Sequence, residues 1–102
     1  KYKIPQSKIW FDPGIGFGKN LAQNLEIMQN IEKFKISNCG ILLGSSRKSW
    51  INGIDNSDVS NRLGGSLASA LYCYKKGVKM FRVHDVKETY QALKVYKNLC
   101  LM

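Results

Sequence analysis

Three short apolar runs, each stopped by a polar loop and followed by a helical pattern, constrain this chain more than any other feature. Ile9–Phe11 ends at Asp12-Pro13-Gly14, Gly40–Leu43 lies between Asn38 and Gly44, and Val78–Val83 ends at His84-Asp85. None reaches helical length and each is bounded by turn-forming residues, so all three are predicted as strands. Leu21, Leu25, Met28, Ile31 and Phe34 recur at three- and four-residue spacing and share one helical face. Val59, Leu63, Leu67, Leu71 and Tyr74 repeat that pattern, with Ser57 or Asp58 as N-cap and Gly77 past the last turn. A third helix is expected from Asp85, with Glu88 in capping-box spacing and an apolar face of Val86, Tyr90, Leu93, Tyr96 and Cys100. Gly64-Gly65 falls inside the second helix, where each glycine costs up to ~1 kcal/mol relative to Ala. Either the helix approaches a neighbour closely there, or it breaks.

Three strand–helix units in succession imply parallel strands joined by right-handed crossovers. A parallel sheet is covered on both faces and gathers its polar chemistry at the C-terminal strand ends. Three units alone leave two open strand edges and one bare sheet face. Residues 1–102 are therefore expected to form a single partial domain of a larger α/β fold.

The three strand-ending loops, Asp12–Lys19, Gly44–Ser49 and Arg82–Asp85, are expected to form one rim that binds an anionic ligand. In the first, Gly14, Gly16 and Gly18 let the backbone approach a ligand. Asp12 can accept paired hydrogen bonds from an amidine-like edge, and Phe17 offers a flat apolar surface. The bland alternative is a βα turn capped by Asp12, and the glycine spacing fits neither the Walker nor the Rossmann pattern. In the second loop, hydroxyls beside Arg47 and Lys48 suit a phosphate or carboxylate, with a solvated basic turn as the alternative. In the third, Arg82 and His84 are two residues apart and face the same way in a strand, an arrangement suited to a di-anion. A buried histidine satisfied by backbone competes with that reading, but it must also account for the arginine beside it.

Charge and cysteine usage narrow the class. The net charge of +9 invites a nucleic-acid reading. However, thirteen of the sixteen basic residues are lysines, scattered rather than clustered, so a solvated surface accounts for most of them. Cys39, Cys73 and Cys100 are widely spaced and form no CxxC pair, which with a single histidine argues for reduced, buried thiols over a zinc site. No apolar run approaches membrane-spanning length and Lys1–Gln6 lacks a signal-peptide core, so a cytoplasmic protein is expected.

DPGIGFGK (residues 12–19), GSSRKS (44–49), NRLGGSLA (61–68) and RVHDVKET (82–89), in this order and spacing, closely resemble dihydropteroate synthase from Lys8 to the C-terminus. The resemblance implies the C-terminal part of a TIM (β/α)8 barrel, holding three parallel strands alternating with three helices. It implies an enzyme of folate biosynthesis, a sulfonamide target, that joins 4-aminobenzoate to 6-hydroxymethyl-7,8-dihydropterin diphosphate and releases pyrophosphate with Mg2+. By the same resemblance, Asp12 binds the pterin, and Lys48 contacts the pterin and borders the aminobenzoate site, with Asp12 and Lys48 as the catalytic pair. Phe17, Lys48 and Ser49 form the aminobenzoate pocket, and Arg82 and His84 hold the diphosphate. The metal ligands are expected in the N-terminal part of the barrel, leaving none in these three units. The partners implied are the two small substrates, the remaining barrel portion and a second copy in a homodimer, with neither nucleic acid nor membrane. Three units out of eight are expected to be inactive alone. A methyltetrahydrofolate-type pterin-binding methyltransferase would share the DPG strand end but is not expected to carry both SRKS and RVHD. A basic nucleic-acid-binding module and an inactive remnant are the other readings.

Overall fold

Three parallel strands in the order β1-β2-β3 make the sheet: β1 (Trp10–Phe11), β2 (Gly40–Leu43) and β3 (Met80–Phe81). The computed structural model describes residues 10–35 and 39–101; Ile9 and Asn38, which bound two predicted strands, lie outside them. Trp10 and Phe11 pair with Gly40 and Ile41, while Leu42 and Leu43 pair with Met80 and Phe81. The middle strand matches its predicted bounds. The third is shorter than the expected Val78–Val83, because Val78 and Lys79 precede it and Arg82 and Val83 already belong to the loop beyond it. Ile41 and Leu43 are buried on one face of β2, whereas Gly40 and Leu42 are half-buried on the other. Gly40 has no side chain because the Trp10 indole lies on it, only 2.4 Å from where a Cβ would stand.

The first helix, α1 (Leu21–Gln29), begins at a capping box in which Asn20 and Gln23 bond each other's backbone. It is shorter than the predicted face. Asn30 ends it by donating its side-chain amide to the Glu26 carbonyl, and a 3-10 turn, Ile31–Phe34, follows. Ile31 and Met28 still enter the core, and Phe34 stacks on Phe11 at 6.0 Å.

Asp58 is the residue that caps, but it caps a 3-10 turn (Val59–Asn61), and α2 runs from Leu63 to Lys75. Val59 therefore lies outside the helix and is exposed. The buried stripe of α2 is Ser66, Ser69, Ala70 and Cys73, not the leucine face read from the spacing. Small side chains bring the helix close to what it covers. Gly65 meets Ile51 so tightly that a Cβ would stand 2.7 Å from its Cγ2 atom, and the helix runs unbroken through Gly64-Gly65. Close approach, not a break, explains Gly65; Gly64 faces open space.

The third helix, α3 (Val86–Cys100), follows Asp85 as predicted, but Asp85 makes no side-chain cap bond. Its carboxylate is held by Arg47 instead, so the capping box does not form. The predicted apolar face is largely outside: Val86 and Tyr90 are exposed, Leu93 and Tyr96 half-buried, and Thr89 is the buried residue. α3 packs on α2, with Tyr96 edge-on to Tyr74. Cys39 and Cys73 are buried thiols, the latter pushed up to about 12 by burial; Cys100 is exposed, against expectation.

One core joins these parts. Ile15, Met28, Ile31, Ile41, Leu43, Trp50, Ile51, Cys73 and Val78 form it, so the loops after β1 and β2 contribute core residues alongside the helices. The whole measures 48 × 38 × 21 Å with a radius of gyration of 14.3 Å. A compact chain of this length would have a radius of about 13 Å. A thin slab is the shape of a barrel sector.

Candidate functional site

Ile15 anchors the first loop by inserting into the core, while Phe17, two residues on, stands exposed. Asn24, buried on α1, accepts the Gly16 N–H at 2.7 Å, and Lys19 Nζ donates to the carbonyls of Gly14 and Phe17. Gly14, Gly16 and Gly18 all take positive φ, conformations that other residues adopt only with strain. Gly16 is doubly required, since a Cβ there would lie 3.0 Å from the Lys48 side chain. The Asp12 carboxylate accepts the Gly14 N–H at 2.8 Å with one oxygen and Arg82 Nη2 at 3.2 Å with the other.

The second loop is more tightly built than its composition suggests. Ser45 and Ser46 are both buried. Ser45 Oγ bonds Ser69 Oγ at 2.8 Å, and its carbonyl accepts the Trp50 indole N–H at 3.0 Å. Arg47 adopts φ 54°, a left-handed conformation costing about 1–3 kcal/mol for a residue with a side chain. Surrounding bonds hold it there. Its N–H donates to Ser66 Oγ at 2.8 Å, its carbonyl accepts Arg62 Nη1 at 3.0 Å, and its guanidinium forks onto both oxygens of Asp85. Arg62 also donates twice to the Ser57 carbonyl, a planar fork that a lysine could not supply.

This network aims Lys48 across the first loop. Its Nζ donates to the Ile15 carbonyl and lies 4.6 Å from the Phe17 ring centre. Burial disfavours its charge first, and the Arg82 charge adds to this; Asp12 opposes the shift and Lys19 reinforces it, so the ammonium sits below the usual lysine range. A site that penalises its own cations is relieved by an anion. Ser49 is exposed, its side chain open to solvent.

In the third loop, Arg82 and His84 turn to different neighbours. Arg82 donates its backbone N–H to the Leu43 carbonyl at 2.9 Å, and its guanidinium lies over Gly44, where a Cβ would stand 2.5 Å from Nη2. His84 Nδ1 bonds Ser46 Oγ at 3.0 Å, and the same oxygen accepts the His84 backbone N–H at 3.2 Å. Arg82 pairs with Asp12, with side chains 55% and 30% exposed; ion pairs of this kind contribute only about 0–1 kcal/mol. Charge-assisted bonds to a phosphate are stronger, so an arriving anion can draw Arg82 away.

The structure thus brings Arg82 onto Asp12 and Lys48 onto Phe17 as two separate contacts, with His84 bonded to Ser46 of the second loop. It corrects the reading of the second loop: Arg47 is committed to Asp85, and the hydroxyls of Ser45 and Ser46 bond inward, leaving Lys48 as that loop's cation with no ion pair among the described residues. The pattern of residues missed Asn24, Arg62, Ser66 and Ser69, which hold the loops from below. NRLGGSLA carries two of these four, Arg62 and Ser66, and its motif was visible without its role. Among the described residues, no group of three or more His, Cys, Asp or Glu could hold a metal ion. Nor is any helix among them long and apolar enough to cross a membrane.

Comparison with known proteins adds to this geometry. The model of the pterin binding enzyme family matches residues 1–84. The dihydropteroate synthase of Escherichia coli (strain K12) is 45% identical over 92 residues, 90% of this chain and 33% of that protein. The Yersinia pestis dihydropteroate synthase solved with a pterine-sulfa conjugate superposes with a TM-score of 0.89 at 35% identity, over 97% of this chain and 38% of its own. The Thermus thermophilus dihydropteroate synthase in complex with 6HMPPP gives 0.83 at 37% identity, over 88% and 36%. The chain spans about a third of the length of the curated relatives it matches.

Proposed function

The chain belongs to the pterin-binding enzyme family, and from that premise we propose that it is a three-unit sector of a dihydropteroate synthase barrel. The reaction joins the amine of 4-aminobenzoate to the methylene carbon of 6-hydroxymethyl-7,8-dihydropterin diphosphate. A C–N bond forms, the C–O bond to the diphosphate breaks, pyrophosphate leaves with the bonding pair, and the amine nitrogen releases one proton to solvent. The observation that carries the reading is the pair of contacts Asp12–Arg82 and Lys48–Phe17 in the loops that follow three parallel strands, with His84 bonded to Ser46 of the second loop.

Each group has a part that its chemistry suits. Positive charge develops on the pterin as the leaving group departs, and the Asp12 carboxylate on the amino-pyrimidine edge stabilises it. Negative charge develops on the diphosphate, and Arg82 and His84 stabilise that. Lys48 lies between the two substrates, and Phe17 and Ser49 border the aminobenzoate. No protein nucleophile is required. Mg2+ belongs to the proposal as a charge-neutralising ion on the diphosphate, its protein ligands lying outside these three units.

The test is product formation. A full-length barrel containing this segment should make dihydropteroate and release pyrophosphate, and purified residues 1–102 should make none. Failure of the full-length barrel to turn over, or turnover by the isolated segment, contradicts the proposal.

A further inference from the structure

We propose that Ser46 is a positioning residue for His84, setting which ring nitrogen carries the proton and presenting Nε2–H to the anion. The inference rests on the diphosphate reading of the rim but goes beyond it, because Ser46 itself need not touch the ligand.

Ser46 is 5% exposed, and its Oγ meets His84 twice: the backbone N–H at 3.2 Å and ring Nδ1 at 3.0 Å. The backbone N–H can only donate, so one lone pair of Oγ is occupied as an acceptor. The hydroxyl hydrogen then needs an acceptor of its own. Among the described residues, Nδ1 is the acceptor within hydrogen-bonding distance. If Nδ1 carried the proton in the neutral ring, Oγ would accept from both groups and its own hydrogen would be left buried and unpaired, a costly arrangement. The bond set therefore assigns the hydroxyl as donor to Nδ1 and the proton of the neutral imidazole to Nε2.

Orientation follows from the same contact. Nδ1 and Nε2 lie on opposite sides of the ring, so tying Nδ1 to a buried oxygen turns Nε2 outward, and His84 is exposed. A donor there suits a phosphate oxygen; the other tautomer would present a lone pair and repel it. The anchor is itself rigid. Ser46 stands between Ser45, bonded to Ser69, and Arg47, forked onto Asp85, the residue after His84. Arg47–Asp85 thus joins the two loops beside the Ser46–His84 contact, and Ser45 ties the second loop to α2 on its other side.

Ring-nitrogen NMR on the histidine-labelled full-length barrel reads the tautomer without ligand, and titration with inorganic pyrophosphate reads the consequence. The unaltered protein should show Nε2–H at His84. Ser46→Ala should lose that bias and bind pyrophosphate about 2- to 10-fold more weakly. His84→Gln supplies an amide donor that needs no tautomer, so adding Ser46→Ala to it should cost nothing further. Should Ser46→Ala fail to fold, Ser46→Thr keeps the hydroxyl and should retain both the Nε2–H form and the affinity. The proposal is overturned by Nδ1–H in the unaltered protein, by an unchanged tautomer in Ser46→Ala, or by an equal loss in the His84→Gln background. Absence of pyrophosphate binding, or loss of both properties in folded Ser46→Thr, overturns it as well. Catalytic turnover enters none of these readouts, so a failure of the synthase reading is separable from a failure of this one.

Discussion

The loop Gly44–Ser49 and the helix α3 invert the usual rule of what is buried. The loop is nearly all polar, yet Ser45 and Ser46 are 4% and 5% exposed and held in a closed set of hydrogen bonds. The helix has the clearest amphipathic pattern, yet Val86, Tyr90, Val95 and Leu99 are each more than half exposed. The difference lies in partners. Each buried loop hydroxyl, Ser45 and Ser46, meets a group of complementary polarity, so its burial carries little desolvation cost. α3 contacts chiefly α2, and a helix packed along one flank covers only part of its apolar face.

The largest expected stability effect lies under the loop. Ser66→Ala removes the acceptor of the Arg47 N–H and the donor to the Arg62 carbonyl. Leaving such groups unpaired costs about 1–3 kcal/mol each when buried, so denaturant unfolding should show a loss of that order. A loss below the error of the fit would break the idea that the serine network holds the loop.

A smaller effect should be present at neutral pH and vanish in acid. The Arg47 hydrogen bonds, more than any other influence, hold the Asp85 carboxyl below its ordinary range. A carboxyl so depressed adds stability that is present above its unfolded pKa and lost as pH falls through the folded one. The window therefore lies below about pH 4. Arg47→Gln should lower the melting temperature above that window and flatten its fall across it, so that the two proteins converge in acid. An acid limb with unaltered slope would show that the fork contributes nothing.

On α3 the expected effect is the smallest. Val86 is 67% exposed, so Val86→Ser should shift stability by less than about 0.5 kcal/mol. A loss as large as that at Ser66 would mean that the exposed face is covered in solution, and the comparison with the loop would need redrawing.

Local signals were legible and long-range ones were not. Gly40–Leu43 was readable end to end because punctuation and apolar content agree there. The grouping of the loops was readable because strand-ending loops of a parallel fold must gather at one end, where Arg82 reaches Asp12 and Lys48 reaches Ile15 and Phe17. The face of α2 was misread because spacing reports where apolar residues fall, whereas a helix pressed close to its neighbours buries Ser66, Ser69 and Ala70. Asp85 was misread as a cap because its true partner, Arg47, is 38 residues away and no local pattern announces it. The break at Asn30 depended on one side-chain bond to Glu26 inside an otherwise continuous periodicity.

The central claim is that the three loops form one anion-binding rim, and pterin diphosphate affinity measures it directly. In a full-length barrel containing this segment, calorimetric titration should show Lys48→Ala and Arg82→Ala each weakening binding by about 10-fold or more, as loss of a charge-assisted hydrogen bond requires. Affinity unchanged in both variants would contradict the rim.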